Sequence, residues 1–286
     1  MQTSGPRVAV VGHVEWVQFA RVAQVPLAGE LIHGSDPFEE PAGGGAVAAV
    51  QLARLAGEAT LVTALGEDEH ARRSQARLGE LGVSVHAARR SEPTRRAVTL
   101  LDETGERTII TLGPRLEPLG SDEALRRSVL EEMDAVYFTA GDADALSAAR
   151  AARVLIASPR ASDALGHGVS LDALVLSGDD ALERRLTARA QEEAAVVVFT
   201  EGARGGVYRE RSGRTGGWAA APPAGPAADS YGCGDSFAAG LTYGLGAGLQ
   251  LEAALELAAR CGAVCLTGHG PYQHQLTAAD VLKGAR

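Results

Sequence analysis

Aromatic residues are scarce. Five Phe, five Tyr and two Trp make up 4% of the 286 residues, which leaves few rings on which nucleic-acid bases could stack. Positive charge is short as well: 27 Lys and Arg stand against 36 Asp and Glu, a formal net charge of −9. A general nucleic-acid binder needs a basic stripe to neutralise phosphates, so this balance argues against nucleic acid as a partner. It leaves room for a small anionic ligand held by backbone N–H groups. Cysteine is limited to Cys233, Cys261 and Cys265, an odd number without the spacing of a disulfide framework, which suggests a reducing compartment. Cys261 and Cys265 lie four apart in a helical pattern and read as two buried small side chains rather than a metal pair. Long apolar runs are missing too. No stretch approaches the roughly 20 residues that cross a bilayer, and no basic segment with an apolar h-region opens the chain. The expectation is a soluble, cytoplasmic protein without a membrane partner.

What is present is a globular balance, 45% hydrophobic and 22% charged, with 35 glycines. Residues 8–11, 59–65, 135–139, 154–157, 173–176 and 195–200 are short apolar runs of the kind that form buried strands. Between them, residues 46–56, 69–81, 144–152 and 180–192 carry helical patterns, and a last long helix is expected at 251–266. This alternation predicts an α/β fold, a doubly wound and mainly parallel sheet with helices on both faces. Ligands of such sheets bind beyond the carboxyl ends of the strands. Two segments break the rhythm. Residues 13–40 hold Pro26, Gly29, Gly34 and Pro37, and residues 83–112 hold three strand-like runs with a turn signal at 102–106. No repeat or low-complexity linker divides the chain, so residues 1–286 are expected to form a single unit.

The stretch with the most chemistry is Asp229-Ser230-Tyr231-Gly232-Cys233-Gly234-Asp235, followed by a helical pattern that runs toward Gly248. A glycine-rich turn feeding a helix N-terminus offers unpaired N–H groups and the positive end of the helix dipole to an anion. A carboxylate in that first turn, Asp235, has two readings. It either takes a proton from a hydroxyl while the N–H groups hold a transferred phosphoryl group, or it only caps the helix. Gly43-Gly44-Gly45 opens a second helix and has the same two readings, ligand cradle or close packing.

Residues 229–235 resemble the C-terminal signature of the PfkB (ribokinase-like) carbohydrate kinases. Further pieces resemble the family in the same order: Val11-Gly12, Pro26 with Gly29-Glu30, Gly43-Gly44-Gly45 leading to Ala53-Arg54-Leu55, Leu65-Gly66-Glu67-Asp68, Gly105-Glu106-Arg107-Thr108, and residues 200–206. They span nearly the whole chain. The resemblance implies a ribokinase-like fold with a small β-sheet lid formed by about residues 13–40 and 83–112. Exposed apolar lid strands often need a partner, so a homodimer through the lids is expected. The resemblance also implies an ATP-dependent kinase acting on a sugar or sugar-like alcohol. By position, Asp235 is then the base and Gly232, Cys233 and Gly234 form the anion hole. Thr200, Gly202, Gly205, Gly268 and Gly270 line ATP. Glu15, Val17, Gly43, Gly44, Gly45, Val47 and Asp235 face the acceptor. Mg²⁺ bridges the phosphates with Asp180 supporting it through water, and a monovalent cation such as K⁺ sits near Asp229.

This chain departs from the family mainly on the acceptor side. Val17 stands where many members carry a sugar-gripping Asp, and Val47 where an Asn is usual. Ser177-Gly178-Asp179-Asp180 replaces the family's Asn-x-x-Glu. Trp16 reads either as a stacking face for a ring or as lid core, and Asp179 and Asp180 also read as an acidic helix start. Two alternatives follow, a nucleoside kinase of the same fold and a non-catalytic ligand-binding member. A nicotinamide-dependent oxidoreductase is disfavoured, because Gly12-His13-Val14-Glu15 lacks the glycine-rich turn into a helix.

Overall fold

The first strand, β1 (Val8–Val11), shows how the layers are built. Val8 and Val10 join one hydrophobic cluster while Ala9 and Val11 join another. Successive side chains point to opposite faces of a sheet, so a continuous apolar run means a strand covered on both sides. The computed structural model describes residues 5–125 and 127–284. After β1 the chain runs through β2 (Glu15–Arg21), β3 (Ser35–Ala42), α1 (Gly44–Ala56), β4 (Ala59–Gly66), α2 (Glu69–Glu80), β5 (Val83–Arg90), β6 (Arg96–Leu101) and β7 (Arg107–Leu112). It continues through α3 (Arg127–Glu131), β8 (Ala135–Phe138), α4 (Ala143–Ala149), β9 (Val154–Ala157), β10 (Leu171–Ser177), α5 (Ala181–Leu186), α6 (Ala188–Glu193) and β11 (Ala194–Thr200). β12 (Gly206–Glu210), β13 (Thr215–Trp218), α7 (Cys233–Gly246), α8 (Leu251–Cys265) and α9 (Ala278–Gly284) complete it.

Among the described residues, nine strands form the large sheet in the order β13-β12-β11-β10-β9-β8-β1-β4-β5. All pairings from β11 to β5 are parallel, and only β12 and β13 are antiparallel. The order reverses beside β1, which lies between β8 and β4. That reversal opens a crevice beyond the strand ends, the usual ligand position of such sheets. Helices α1, α2, α7 and α8 pack on one face, and α4 and α6 on the other. The fold is therefore a mainly parallel α/β arrangement with helices on both faces.

Four strands form a second sheet in the order β3-β2-β6-β7. This is the lid, and its membership corrects the expectation. The expected lid begins at residue 83, but residues 83–90 form β5, which pairs in parallel with β4 from Ala59 opposite Val83 to Gly66 opposite Arg90. The chain from β4 through α2 to β5 is a right-sized crossover unit, and such units return a strand to the same sheet. The lid strands are β2, β3, β6 and β7 alone. One hydrophobic cluster runs from α1 and α7 into the lid at Val17, Phe19, Ala97 and Leu101, so the lid is packed onto the large sheet's helices. The helix expected over 180–192 is broken into α5 and α6 at Thr187, whose hydroxyl donates back to the Glu183 carbonyl at 2.7 Å.

Candidate active site

Two glycine-led helix starts meet at one point. Gly43 precedes α1 at φ 87°, and Gly232 precedes α7 in the left-handed region at φ 81° and ψ 0°. L-residues with a Cβ pay for such angles, which is why glycine stands there. The two turns are pressed together. A Cβ added to Gly232 would lie 2.8 Å from Val47 Cγ1, and one added to Gly44 would lie 2.9 Å from Asp235 Oδ1. The Gly43 N–H donates to the buried Tyr231 hydroxyl at 3.2 Å. Asp235 is in the first turn of α7 and is 8% exposed. Gly234, next to it, is exposed, and nothing lies within 4 Å of where its Cβ would be. The first turn of α7 thus borders open space at Gly234 with the positive end of its dipole and a carboxylate at its side, while the Cys233 N–H donates to the Ser230 carbonyl at 3.4 Å.

The loop before α7 is braced on several sides. Asp229 is buried, and its two oxygens accept the N–H groups of Tyr231 at 2.8 Å and Gly270 at 2.9 Å. Gly270 in turn faces the lid, since a Cβ on it would strike the Phe38 ring at 2.7 Å. Phe38 stacks on Phe19 at 4.6 Å, and Phe19 meets Tyr231 edge-on at 5.0 Å. Arg21 of β2 reaches the Ala228 carbonyl at 3.1 Å and the His269 ring, and Arg107 of β7 donates to the Ser230 hydroxyl at 2.9 Å. Lid, motif loop and residues 268–270 form one interlocked group. The Cys233 thiol is pushed well above its ordinary range by its hydrogen bond with Cys265 and by burial, so it stays protonated and is no nucleophile at neutral pH.

On the other side of Asp235 stands a set of polar residues at the carboxyl ends of β1, β8 and β9. His13 and Glu15 are buried, with His13 Nε2 3.1 Å from Glu15 Oε1. Burial pushes the His13 imidazole below its ordinary value, outweighing the pull of Glu15. The ring is then neutral and donates its Nε2 proton to the carboxylate, which leaves Nδ1 buried without a partner. Burial alone would raise the Glu15 carboxyl, but the His13 hydrogen bond and the charges of Arg95 and Arg160 hold it below the usual range. Arg95 stands 3.6 Å from Glu15 Oε1. Gly43 lies directly over this pair, its Cβ position 3.0 Å from His13 Nε2 and 3.3 Å from Glu15 Cγ. Arg160, just after β9, places Nε 3.7 Å from Asp235 Oδ1. Asp235 is the main influence holding that guanidinium firmly protonated. Below it, the Ser158 hydroxyl donates to the Thr139 hydroxyl at 3.1 Å, and burial pushes the Tyr137 hydroxyl up to about 12.

At the far end of the crevice, Thr200 closes β11 and donates to the Leu176 carbonyl at 3.2 Å. Gly202 and Gly205 turn the chain back at φ 56° and 88°, and Gly205 lies so close to the carbonyl of Trp218 that no side chain would fit. Asp180 Oδ1 accepts the N–H groups of Leu182 at 2.8 Å and Glu183 at 3.0 Å, capping α5. Asp179 pairs with Arg204 at 2.9 Å.

The sequence pattern of the pfkB family carbohydrate kinase matches residues 6–164 and 171–278. The chain belongs to the pfkB family. Among solved structures it is similar to a ribokinase from Arabidopsis thaliana complexed with ribose and ATP, at 22% identity and TM-score 0.77, with 98% of each chain covered. It is similar to phosphofructokinase-2 from Escherichia coli in complex with potassium, at 17% identity and TM-score 0.73, covering 98% of this chain and 97% of that one. It is also similar to a nucleoside kinase from Methanocaldococcus jannaschii, at 16% identity and TM-score 0.74, with 98% of each chain covered. No curated protein matches the sequence. Likeness at these identities speaks to the pfkB fold.

Within the pfkB frame, the expected site residues divide. Asp235, residues 232–234, Gly43, Gly44, Gly45 and Glu15 come together at the junction of the two helix starts. Val17 and Val47 do not join them as ligand contacts. Both are fully buried, Val17 in the lid core and Val47 against Gly232, so they have no surface to offer an acceptor. Trp16 is also core: it is 5% exposed, stacked on His70 at 5.6 Å with the Arg73 guanidinium 4.1 Å from its ring. It is unavailable as a stacking face for a bound ring. Sequence reasoning missed His13, Arg95, Thr139 and Arg160. The signal for Thr139 and Arg160 is their place at the end of the predicted strand 135–139 and just after 154–157, where this class of sheet binds ligands.

Proposed function

We propose that the protein transfers the γ-phosphoryl group of ATP to a hydroxyl of a sugar or sugar-like small molecule. The observation that carries the proposal is Asp235, buried in the first turn of α7 beside the exposed Gly234 and pressed against the start of α1. The acceptor hydroxyl gives its proton to Asp235. The N–H groups at 232–234 hold the charge that develops on the transferred group. Phosphoryl transfer relies on positioning and charge stabilisation, so no nucleophilic side chain is required. Gly43, Gly44, Gly45 and Glu15 border the acceptor. Thr200, Gly202 and Gly205 line the nucleotide, with the loop of the buried Gly268 and Gly270 supporting it. The Arabidopsis ribokinase structure, a complex with ribose and ATP, supports this donor and acceptor class.

Mg²⁺ is part of the proposal and supplies charge neutralisation on the phosphates. Among the described residues no group of three or more His, Cys, Asp or Glu gathers as a ligand set. That suits an ion carried in by the nucleotide and kept partly hydrated, with Asp180 at the carboxyl end of β10 reaching its water. K⁺ near Asp229 has weaker support, because both oxygens of that carboxylate already accept N–H groups. Asp229 serves first as a brace, and the K⁺ dependence of the rate tests the rest. A homodimer through the lids is favoured by β7, an edge strand exposed along its whole length with Ile109, Ile110 and Leu112 outward. Light scattering across a concentration series distinguishes dimer from monomer.

With Trp16 committed to the core, no observation favours the nucleoside reading over the sugar reading. A metabolite extract incubated with the protein, ATP and Mg²⁺ tests the function. Phosphorylated polyols appearing only with the active protein support it, and binding without turnover across the extract supports the non-catalytic alternative.

A further inference from the structure

We propose that the acceptor carries an anionic group, a carboxylate or a phosphate ester, and that Arg160 is the residue that selects it. The inference rests on the kinase reading above and narrows its substrate class.

Arg160 lies in the short turn Pro159–Ala161 that follows β9, at the same end of the sheet as Asp235. Its Cδ is 3.2 Å from the position of a Cβ on Gly44, so the side chain lies across the acceptor end of the site. His13, Glu15 and Asp235 around it are buried, yet the Arg160 side chain is 51% exposed. Among the described residues its ion-pair partner is Asp235, with Nε 3.7 Å from Oδ1, and the exposed side chain leaves the guanidinium accessible to a ligand.

An exposed guanidinium at the acceptor end is suited to an anionic group on the bound molecule. The guanidinium fork matches carboxylate and phosphate oxygens in pairs.

The remaining polar groups point the same way. A neutral polyol is gripped by free carboxylates and amides. Val17 and Val47 supply neither and are buried. Glu15 is already occupied by His13 and Arg95. Arg160 is the exposed charged donor at this end.

The test uses the full chain with ATP and Mg²⁺ and follows ADP release on matched acceptors. Each set holds a neutral sugar, the corresponding sugar acid and the corresponding sugar monophosphate. One anionic arm should exceed its neutral counterpart at least about tenfold in kcat/KM, and the arm that does so identifies carboxylate or phosphate. Arg160→Gln should raise KM for that acceptor on the order of 10- to 100-fold, the range for a hydrogen bond to a charged group. KM for neutral sugars should stay within about threefold, and Arg160→Lys should recover part of the loss. Preference for neutral sugars overturns the inference while leaving the kinase reading intact. So does an Arg160→Gln variant that loses kcat equally on every acceptor, which would assign Arg160 to the phosphoryl group. Turnover of no acceptor in any arm refutes the kinase reading itself.

Discussion

Replacing Gly44 by Ala separates stability from activity. Gly44 is the first residue of α1, and its Cβ position lies 2.9 Å from Asp235 Oδ1, 3.2 Å from Arg160 Cδ and 3.3 Å from Thr139 Oγ1. The nearest atom is the end of a side chain, so Asp235 can turn away rather than force the backbone apart. A rotation of about 30° off its preferred rotamer costs roughly 0.5–1.5 kcal/mol. Removing a glycine from a helix returns roughly 0.5–1 kcal/mol. The net change in stability should be within about 1 kcal/mol, a shift in Tm of about 2–4 °C at most for a chain of this size. Activity has no such compensation. Displacing a reacting group by about 1 Å can cost on the order of 10²-fold. Thermal melts and initial rates on the best acceptor check the two expectations. The control is Gly57→Ala at the other end of α1, where φ is 96° and nothing stands within 4 Å. It should lose roughly 1–2 kcal/mol from left-handed strain and keep its rate. A folded Gly44→Ala protein with a near-wild-type rate would refute the placement of the base against α1.

The other predictions concern pH, the thiol and the lid. His13 is held below its ordinary value of 6.5 and Glu15 below 4.5 in the folded protein, so the unfolded chain binds more protons below those values. The stability these groups contribute is present above pH 6.5 for His13 and above pH 4.5 for Glu15, and it is lost as pH falls toward the folded values. Tm should therefore drop on acidification from neutral pH, and His13→Gln should flatten the first part of that curve. Cys233→Ala should keep kcat within about threefold, because backbone N–H groups rather than the thiol hold the phosphoryl group. Arg107→Ala removes the exposed contact from the lid to Ser230. It should raise KM by no more than about fivefold and leave Tm nearly unchanged, as expected for an exposed polar contact worth about 0–1 kcal/mol.

Where local physics decides the outcome, the sequence is readable. Gly232-Cys233-Gly234-Asp235 before a helical pattern allows few conformations, and the αL turn, helix start and buried carboxylate all follow. Apolar runs such as Val8–Val11 announce strands covered on both faces. Reading falters where a neighbour distant in sequence decides. Val83-Ser84-Val85 alternates like a half-exposed strand, which fits a lid meander and an edge strand of the main sheet equally well. Pairing with β4 settles it. β13 has two glycines in four residues and little strand propensity of its own. It forms because Gly216 lets the Tyr208 ring lie where a side chain would be, with the Cβ position 2.5 Å from Tyr208 Cζ. Val17 and Val47 were placed by alignment at the acceptor, yet packing draws both into the core. Arg160 carries only the positional signal of following a predicted strand, and nothing local pairs it with Asp235. Only folding brings the turn after β9 to the first turn of α7.

The central claim is that Asp235 is the base of a phosphoryl transfer. The most direct measurement is kcat of Asp235→Asn against wild type, with ATP, Mg²⁺ and the acceptor found by the screen. The variant keeps the shape of the side chain but cannot take the proton. The account predicts a folded protein of similar Tm with kcat reduced on the order of 10²–10⁴-fold, the contribution of a general base. A variant that turns over at the wild-type rate would contradict it.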